Sequence, residues 1–259
     1  MSKTILITGA TDGIGLLTAK TLASEGHEVL LHGRSADKLE AAANELGGTP
    51  ETYLADLSRL EEVEKMAADI IANHSRIDVL INNAGVLKAP QSRTLEGLDL
   101  RFVVNTIAPY LLTQRLLVVI PPEGRVVNLS SAAQAPVDVQ ALRGKRELDD
   151  MGAYAQSKLA LTIWTQEMAK SLPRGPVFVA VNPGSLLASK MVKEGFGVAG
   201  SDLGQGADIL RRAALSEEFA QATGRYFDND RGDFGQPNPA ARDGAHVAEV
   251  MTAIRDITG

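Results

Sequence analysis

Tyr154 and Lys158 stand four residues apart in the stretch GAYAQSKLAL, residues 152–161. On a helix this spacing puts a phenol and an ammonium on one face, one turn apart. A phenol titrates at about pH 10, so its phenolate is scarce near neutrality. A nearby positive charge favours the phenolate and turns tyrosine into a usable acid and base. The same pair also occurs on ordinary amphipathic helices, so its chemistry depends on what stands beside it.

A second group of residues can hold an anion. An apolar run leads into Thr8-Gly9-Ala10-Thr11-Asp12-Gly13-Ile14-Gly15, with glycines spaced G-x-x-x-G-x-G. A strand, a glycine turn and a helix start bring backbone N–H groups up to a pyrophosphate, and a Cβ at the turn would block the approach. Gly9, Thr11, Asp12, Gly13, Ile14 and Gly15 are the candidate contacts, although the Asp12 carboxylate itself gives no help with a phosphate. The next apolar run ends His32-Gly33-Arg34-Ser35. NAD-binding proteins place a carboxylate here for the ribose 2′-hydroxyl; an arginine suits a 2′-phosphate, which its planar fork can grip. Arg34 therefore favours NADP, with NAD possible.

These residues need elements to position them. Short apolar runs at 4–8, 28–32, 52–55, 78–81, 125–129 and 177–181, with a weaker one at 225–227, read as strands buried on both faces. Helical patterns lie between them at 14–25, 36–46, 60–73, 95–119 and 153–172, and Ser35 is a plausible N-cap for the second. Alternating strands and helices with short connections predict a Rossmann-type, doubly wound α/β fold with a parallel sheet of about seven strands and helices on both faces. No linker or repeat divides the chain, so residues 1–259 read as one domain. The stretches 134–151 and 185–202 read as irregular.

The composition excludes several other functions. There is no cysteine, which removes disulfides, thiolate metal sites and cysteine nucleophiles. His27, His32, His74 and His246 are scattered without metal-ligand spacing and receive no role. A net charge of -6 argues against nucleic acid as a partner. No apolar stretch approaches the length of a membrane span, and the N-terminus lacks a signal sequence, so the expectation is a cytoplasmic protein.

The motifs occur in an order that resembles the short-chain dehydrogenase/reductase family over nearly the whole chain. TGATDGIG follows the first strand, Asp56-Leu57 the third, and Asn82-Asn83-Ala84-Gly85 the fourth. Asn105 comes next, then Ser130-Ser131, Tyr154-x-x-x-Lys158 and Asn182-Pro183-Gly184. The resemblance implies that Tyr154 exchanges a proton with the substrate oxygen and that Ser131 holds this oxygen. Lys158 would lower the phenol pKa and bind the nicotinamide ribose. Asn105 would anchor a water that links Lys158 to solvent. Asp56 and Leu57 would flank the adenine, and Asn83, Ala84 and Gly85 the adenosine ribose and pyrophosphate. Pro183, Gly184 and Leu186 would pass the nicotinamide.

The implied activity is interconversion of a carbonyl and an alcohol, with an apolar small-molecule substrate and a homodimer or homotetramer built through the helix of Tyr154. Two rivals stand beside it: a catalytically silent NADP-sensing regulator and a sugar-nucleotide epimerase. The epimerase needs a larger C-terminal domain than the 75 residues after Gly184. Ser131 and Tyr154 are 23 residues apart, and the charge-dense 141–150 between them reads as a solvated loop or a rim over the substrate mouth. That layout is similar to the branch of retinol dehydrogenases and protochlorophyllide reductases. Ala188 stands where the family often has a cofactor-binding threonine. The apolar Met191, Val192, Phe196 and Val198 suit a mobile lid over an apolar substrate.

Overall fold

The computed structural model describes residues 1–185, 187 and 202–259. Its strands are β1 (Thr4–Ile7), β2 (Glu28–Gly33), β3 (Thr52–Leu54), β4 (Val79–Asn82), β5 (Arg125–Leu129), β6 (Val177–Asn182), β7 (Arg225–Asp228) and β8 (Asp233–Gly235). They form one sheet in the order β3-β2-β1-β4-β5-β6-β7-β8. The first seven are parallel, and β8 is an added antiparallel edge paired with β7. The strand order reverses direction between β1 and β4, the place where open α/β sheets bind ligands beyond the carboxyl ends of their strands.

The helices follow from two-sided burial of this sheet. On β1, Leu6 faces one layer, while Ile5 and Ile7 face the other. Helices α1 (Gly13–Ser24) and α2 (Ala36–Leu46) cover the Ile5 face. Helix α3 (Leu60–Asn73) and a composite helix α4 cover the Leu6 face. Ser35 occupies the N-cap position of α2, but its hydroxyl makes no capping bond. The composite helix is α-helical over Leu100–Phe102, π-helical over Val103–Ile107 and α-helical again over Ala108–Leu116. It starts later than the apolar pattern at 95–119 suggests, because Leu95 is exposed and Arg93 bridges to Asp99.

The stretch 134–151 is not wholly irregular. It contains α5 (Val139–Leu142), whose Ala141 and Leu142 are buried in the core. Its charged part is pinned rather than free: Arg143 pairs with Asp256 and Arg146 with Asp138, and Arg93 donates to the Gly144 carbonyl at 2.8 Å. Helix α6 (Asp150–Ser171) carries Tyr154 and starts under the cap of Asp149. Helices α7 (Leu203–Leu215) and α8 (Gly244–Thr258) were not signalled by the sequence reading. The first packs on α1 against the β1–β6 face. The second lies against α6 and α5.

Residues Leu159 to Thr165 of α6 are all buried, and so are residues Phe102 to Thr113 of α4. Val247, Val250, Met251 and Ile254 of α8 belong to the same apolar cluster as Leu159, Leu161 and Trp164 of α6. The chain's own C-terminal helix therefore helps enclose the helix through which the resemblance would have copies associate. Among the described residues, no helix is long and apolar enough to cross a membrane.

Candidate active site

The glycine turn sits at the carboxyl end of β1, and sterics explain its composition. Gly9 has φ +65° and Gly13 has φ +56°, in the left-handed region that disfavours a side chain. A Cβ on Gly9 would come 2.9 Å from Ala84 Cα. One on Gly15 would come 2.4 Å from the Gly9 carbonyl oxygen, so the turn folds back tightly over the start of α1. Thr8 braces it from β4: its hydroxyl accepts from the Asn83 and Ala84 N–H groups at 3.0 and 3.1 Å. The Asn83 amide donates to the Thr8 and Gly9 carbonyls at 2.8 and 2.9 Å. The Asn83 side chain thus holds the turn, at the edge where the resemblance sets the adenosine ribose and pyrophosphate.

Asp12 is the N-cap of α1 and accepts the Gly13 N–H at 2.8 Å. Its other oxygen lies 3.9 Å from the Lys38 ammonium on the first turn of α2. Arg34 is exposed at the end of β2, a few residues before Lys38. Asp56 follows β3, with one carboxylate oxygen taken by the Ser58 N–H at 2.9 Å. The neighbouring Leu57 is 5 % exposed and its side chain packs in the core, so only its backbone can line a site. The tight Gly9–Gly15 fold, the helix N-terminus and two surface cations beyond β2 fit a phosphorylated dinucleotide laid across this edge.

The residues that the resemblance implies for proton transfer come from α4, β5 and α6. Ser130 and Ser131 part at the end of β5. The Ser130 hydroxyl turns inward to the Thr162 hydroxyl at 2.7 Å. The Ser131 hydroxyl accepts the Ala133 N–H at 3.1 Å and lies near enough to the Tyr154 phenol to act on its titration. Lys158 is 3 % exposed, and its ammonium donates to the Leu129 carbonyl at 2.7 Å. It stands 5.7 Å from the centroid of the Tyr154 ring.

Burial pushes the Tyr154 phenol above its ordinary value, with the Ser131 hydroxyl working the other way. Burial also lowers Lys158, to about 8. In the folded chain without cofactor, desolvation therefore favours the protonated phenol.

Asn105 lies in the π-helical turn, fully buried. Its amide is fully engaged: it accepts from the Val86 N–H at 2.8 Å and donates to the Val86 carbonyl and the Ser157 hydroxyl, each at 2.9 Å. Both amide hydrogens are thereby used. Its backbone carbonyl differs, because the residue four positions on is Pro109, which has no N–H to donate to it. The ordinary i→i+4 bond to that carbonyl is therefore missing.

One turn earlier on α4, Arg101 is 1 % exposed. It donates to both Asp99 oxygens at 2.8 and 2.6 Å and pairs with Asp150 at the first residue of α6. Three ties thus join α4 to the Tyr154 helix: Arg101 to Asp150, Asn105 to Ser157, and the Thr106 hydroxyl to the Ser157 carbonyl at 2.7 Å.

Beyond β6, Pro183 and Gly184 pass along the same edge, with Gly184 at φ +124°. What fastens them leaves no motif in the chain. Asp230 accepts from the Ser185 N–H at 2.7 Å and from the Asn182 amide at 2.9 Å, and Asn229 donates to the Pro183 carbonyl at 2.9 Å. The Tyr226 hydroxyl donates to the Ser131 carbonyl at 3.1 Å, and Gln134 donates to the same atom at 2.9 Å. Leu186, Ala188 and the lid candidates Met191, Val192, Phe196 and Val198 lie outside the described residues. Gly85 sits between the Asn83 brace and the Val86 partner of Asn105, at the same edge.

Comparison with known proteins agrees with this arrangement. The sequence profile described as short chain dehydrogenase matches residues 3–196. Retinol dehydrogenase 13 of Homo sapiens is 34 % identical over 253 residues, spanning 87 % of this chain and 76 % of that protein. The short-chain dehydrogenase chyC of Penicillium rubens is 31 % identical, spanning 98 % of this chain and 97 % of that one. Among solved structures, an uncharacterised protein from Mycobacterium paratuberculosis superposes with a TM-score of 0.82 at 28 % identity, covering 99 % of this chain and 93 % of that one. A short chain dehydrogenase from Shigella flexneri 2a, complexed with NADP, has a TM-score of 0.70 at 28 % identity, covering 88 % of this chain and 96 % of that one.

Proposed function

Because the chain belongs to the short-chain dehydrogenase family, we propose that it interconverts a carbonyl and an alcohol, with NADP(H) preferred and Tyr154 as the acid and base. The observation that carries the reading is the Tyr154 phenol beside the Ser131 hydroxyl, one helical turn from the buried Lys158 ammonium. When bound, the nicotinamide supplies or accepts the hydride. Everything else falls to the protein.

The Gly9–Gly15 turn and the N–H groups at the start of α1 hold the pyrophosphate. Arg34, with Lys38 beside it, holds the 2′-phosphate. Asp56 and the Leu57 backbone border the adenine, Ala84 and Gly85 line the ribose side, and Pro183 and Gly184 the nicotinamide side. Ser131 donates to the substrate oxygen and stabilises the charge that grows there. Tyr154 gives that oxygen its proton. Lys158 is still protonated at pH 7, so its charge offsets the phenolate left behind. The Asn105 carbonyl takes a water that returns a proton towards Lys158.

An apolar carbonyl compound is the substrate class we assign. The curated relatives named as retinol dehydrogenases support it, as do the apolar residues of the 185–202 segment. We further propose that copies do not associate through α6, since α8 packs against it.

The test is NADPH oxidation by the purified protein against a panel of apolar aldehydes and ketones. Tyr154→Phe should lower turnover by about 10²–10⁴-fold while still binding NADPH. Near-normal turnover in that variant removes Tyr154 as the acid. Cofactor binding by the wild type without turnover of any substrate would favour the sensor instead.

A further inference from the structure

His32 sits in β2, two residues before Arg34, and is 2 % exposed. Its neighbours Val29, Leu30 and Leu31 are apolar and buried, as a strand covered on both faces requires. An imidazole is an expensive residue in such a place unless both nitrogens are satisfied. Both are. Nδ1 accepts the Gly9 N–H at 3.1 Å, and Nε2 lies 3.0 Å from the Ala55 carbonyl, to which it donates. The two partners fix the tautomer: an N–H can reach only an acceptor, so the proton is on Nε2. Desolvation holds the ring neutral, with its pKa lowered to about 4.

The two bonds reach in opposite directions. Gly9 is the residue whose φ of +65° shapes the turn at the end of β1. Ala55 ends the β3 side and immediately precedes Asp56. Backbone bonds run alongside: the Ala10 N–H donates to the His32 carbonyl at 2.9 Å and the Ala55 N–H to the Gly33 carbonyl at 3.1 Å. Those bonds survive any substitution at position 32. Only the ring crosses from one loop to the other.

We propose that His32 is a positioning residue for the dinucleotide, a rigid spacer whose imidazole sets the distance between the pyrophosphate turn at Gly9 and the adenine-side loop at Ala55–Asp56. The proposal rests on the reading of this edge as a dinucleotide site. It assigns to one side chain the pre-ordering of two loops that hold opposite ends of the same ligand, so that little order remains to be gained on binding.

The isosteres separate the two bonds. Asn places an acceptor near the Nδ1 position and can keep Gly9. Gln can place a donor near the Nε2 position and keep Ala55. Leu keeps neither and fills the space. Two readouts are used on the full chain. One is NADPH affinity by direct titration. The other is hydrogen exchange of the Gly9 amide in the protein without added nucleotide.

His32→Leu should bind NADPH more weakly by about tenfold or more and exchange the Gly9 amide faster, as expected when both ring hydrogen bonds are lost. His32→Asn should retain most of the affinity and the Gly9 protection. His32→Gln should lose the Gly9 protection and bind more weakly than the Asn variant. A folded Leu variant with wild-type affinity and Gly9 protection overturns the proposal. If the Leu variant does not fold, equal behaviour of the Asn and Gln variants overturns it. A wild type that binds neither NADPH nor NADH defeats the proposed function, while the Gly9 exchange comparison still decides whether the ring holds the turn.

Discussion

Arg101 offers a sharp test of how α6 is held in place. Its guanidinium is 1 % exposed and makes two bonds to Asp99, whose side chain is 12 % exposed. Replacing it by Met keeps the apolar stem and removes the charge. Asp99 then keeps only the Arg101 backbone N–H at 2.9 Å and is left as a buried carboxylate without a counter-ion. Removing one partner from such a pair costs about 3–5 kcal/mol.

Asp150 differs, because its side chain is 49 % exposed. Water screens it, so Asp150→Asn should cost at most about 1 kcal/mol of global stability. Urea unfolding followed by far-UV circular dichroism reads both numbers, provided that the slope with denaturant stays constant. The double change Arg101→Met with Asp99→Leu leaves no buried charge and should recover most of the loss. A single Arg101→Met variant within about 1 kcal/mol of the wild type would refute the reasoning. So would a double variant no more stable than the single one.

Three further outcomes follow from other parts of the structure. Arg34→Ala should weaken NADPH by about tenfold or more and NADH hardly at all, since a charge-assisted bond to phosphate is worth roughly 1.5–3 kcal/mol; equal losses in paired titrations would exclude a 2′-phosphate role. His32 has its folded pKa lowered from 6.5 to about 4, so the unfolded chain takes up the proton first as pH falls. Its contribution is full above pH 6.5 and lost as the pH drops to about 4, by about 3 kcal/mol at 1.4 kcal/mol per pH step. The His32→Asn variant should lack that part of the acid slope in denaturant unfolding at a series of pH values, and an identical slope would contradict the assignment. In sedimentation velocity, the wild type should show no association through α6. Removal of 244–259 uncovers Leu159, Leu161 and Trp164 and should produce self-association or aggregation; a monodisperse truncated monomer would show that α8 is dispensable as a cover.

The parts of the fold that could be read from the sequence are those where burial dictates residue type. Runs such as VLL in β2 and RVVNL in β5 are apolar because both sides of the sheet are covered, and β5 falls on Arg125–Leu129 as expected. Helices α2 and α3 also match the patterns at 36–46 and 60–73, since each has one apolar stripe against the sheet. The irregularities were not readable in the same way. The π-helical turn depends on Pro109 withholding an N–H from a residue one turn back, which leaves no mark on apolar periodicity. The short β8 lies on an edge with a single neighbour, and its three residues DFG carry no alternation.

Among site residues, glycines were readable because steric need has few solutions. The resemblance sets Asn83 along the adenosine ribose and pyrophosphate; that its amide also donates to the Thr8 and Gly9 carbonyls leaves no mark in the sequence. His32 was set aside because no second histidine stood at metal spacing. The usable signal was different: a lone polar ring inside a doubly buried strand, directly before Gly33-Arg34, needs two partners at the carboxyl edge.

The Tyr154–Lys158 pair changes meaning once burial is included. Spacing alone suggests an ammonium that loosens a phenol. In the folded chain each group is pushed towards its neutral form, the phenol upward and the lysine down to about 8. At neutral pH the result is a protonated tyrosine beside a lysine that is still charged. That is the state required of an acid that protonates a carbonyl oxygen, because the phenolate it becomes forms next to a positive charge. The reverse step, taking a proton from an alcohol, starts against desolvation. It needs the phenolate, which burial disfavours and a positive charge placed beside it would favour.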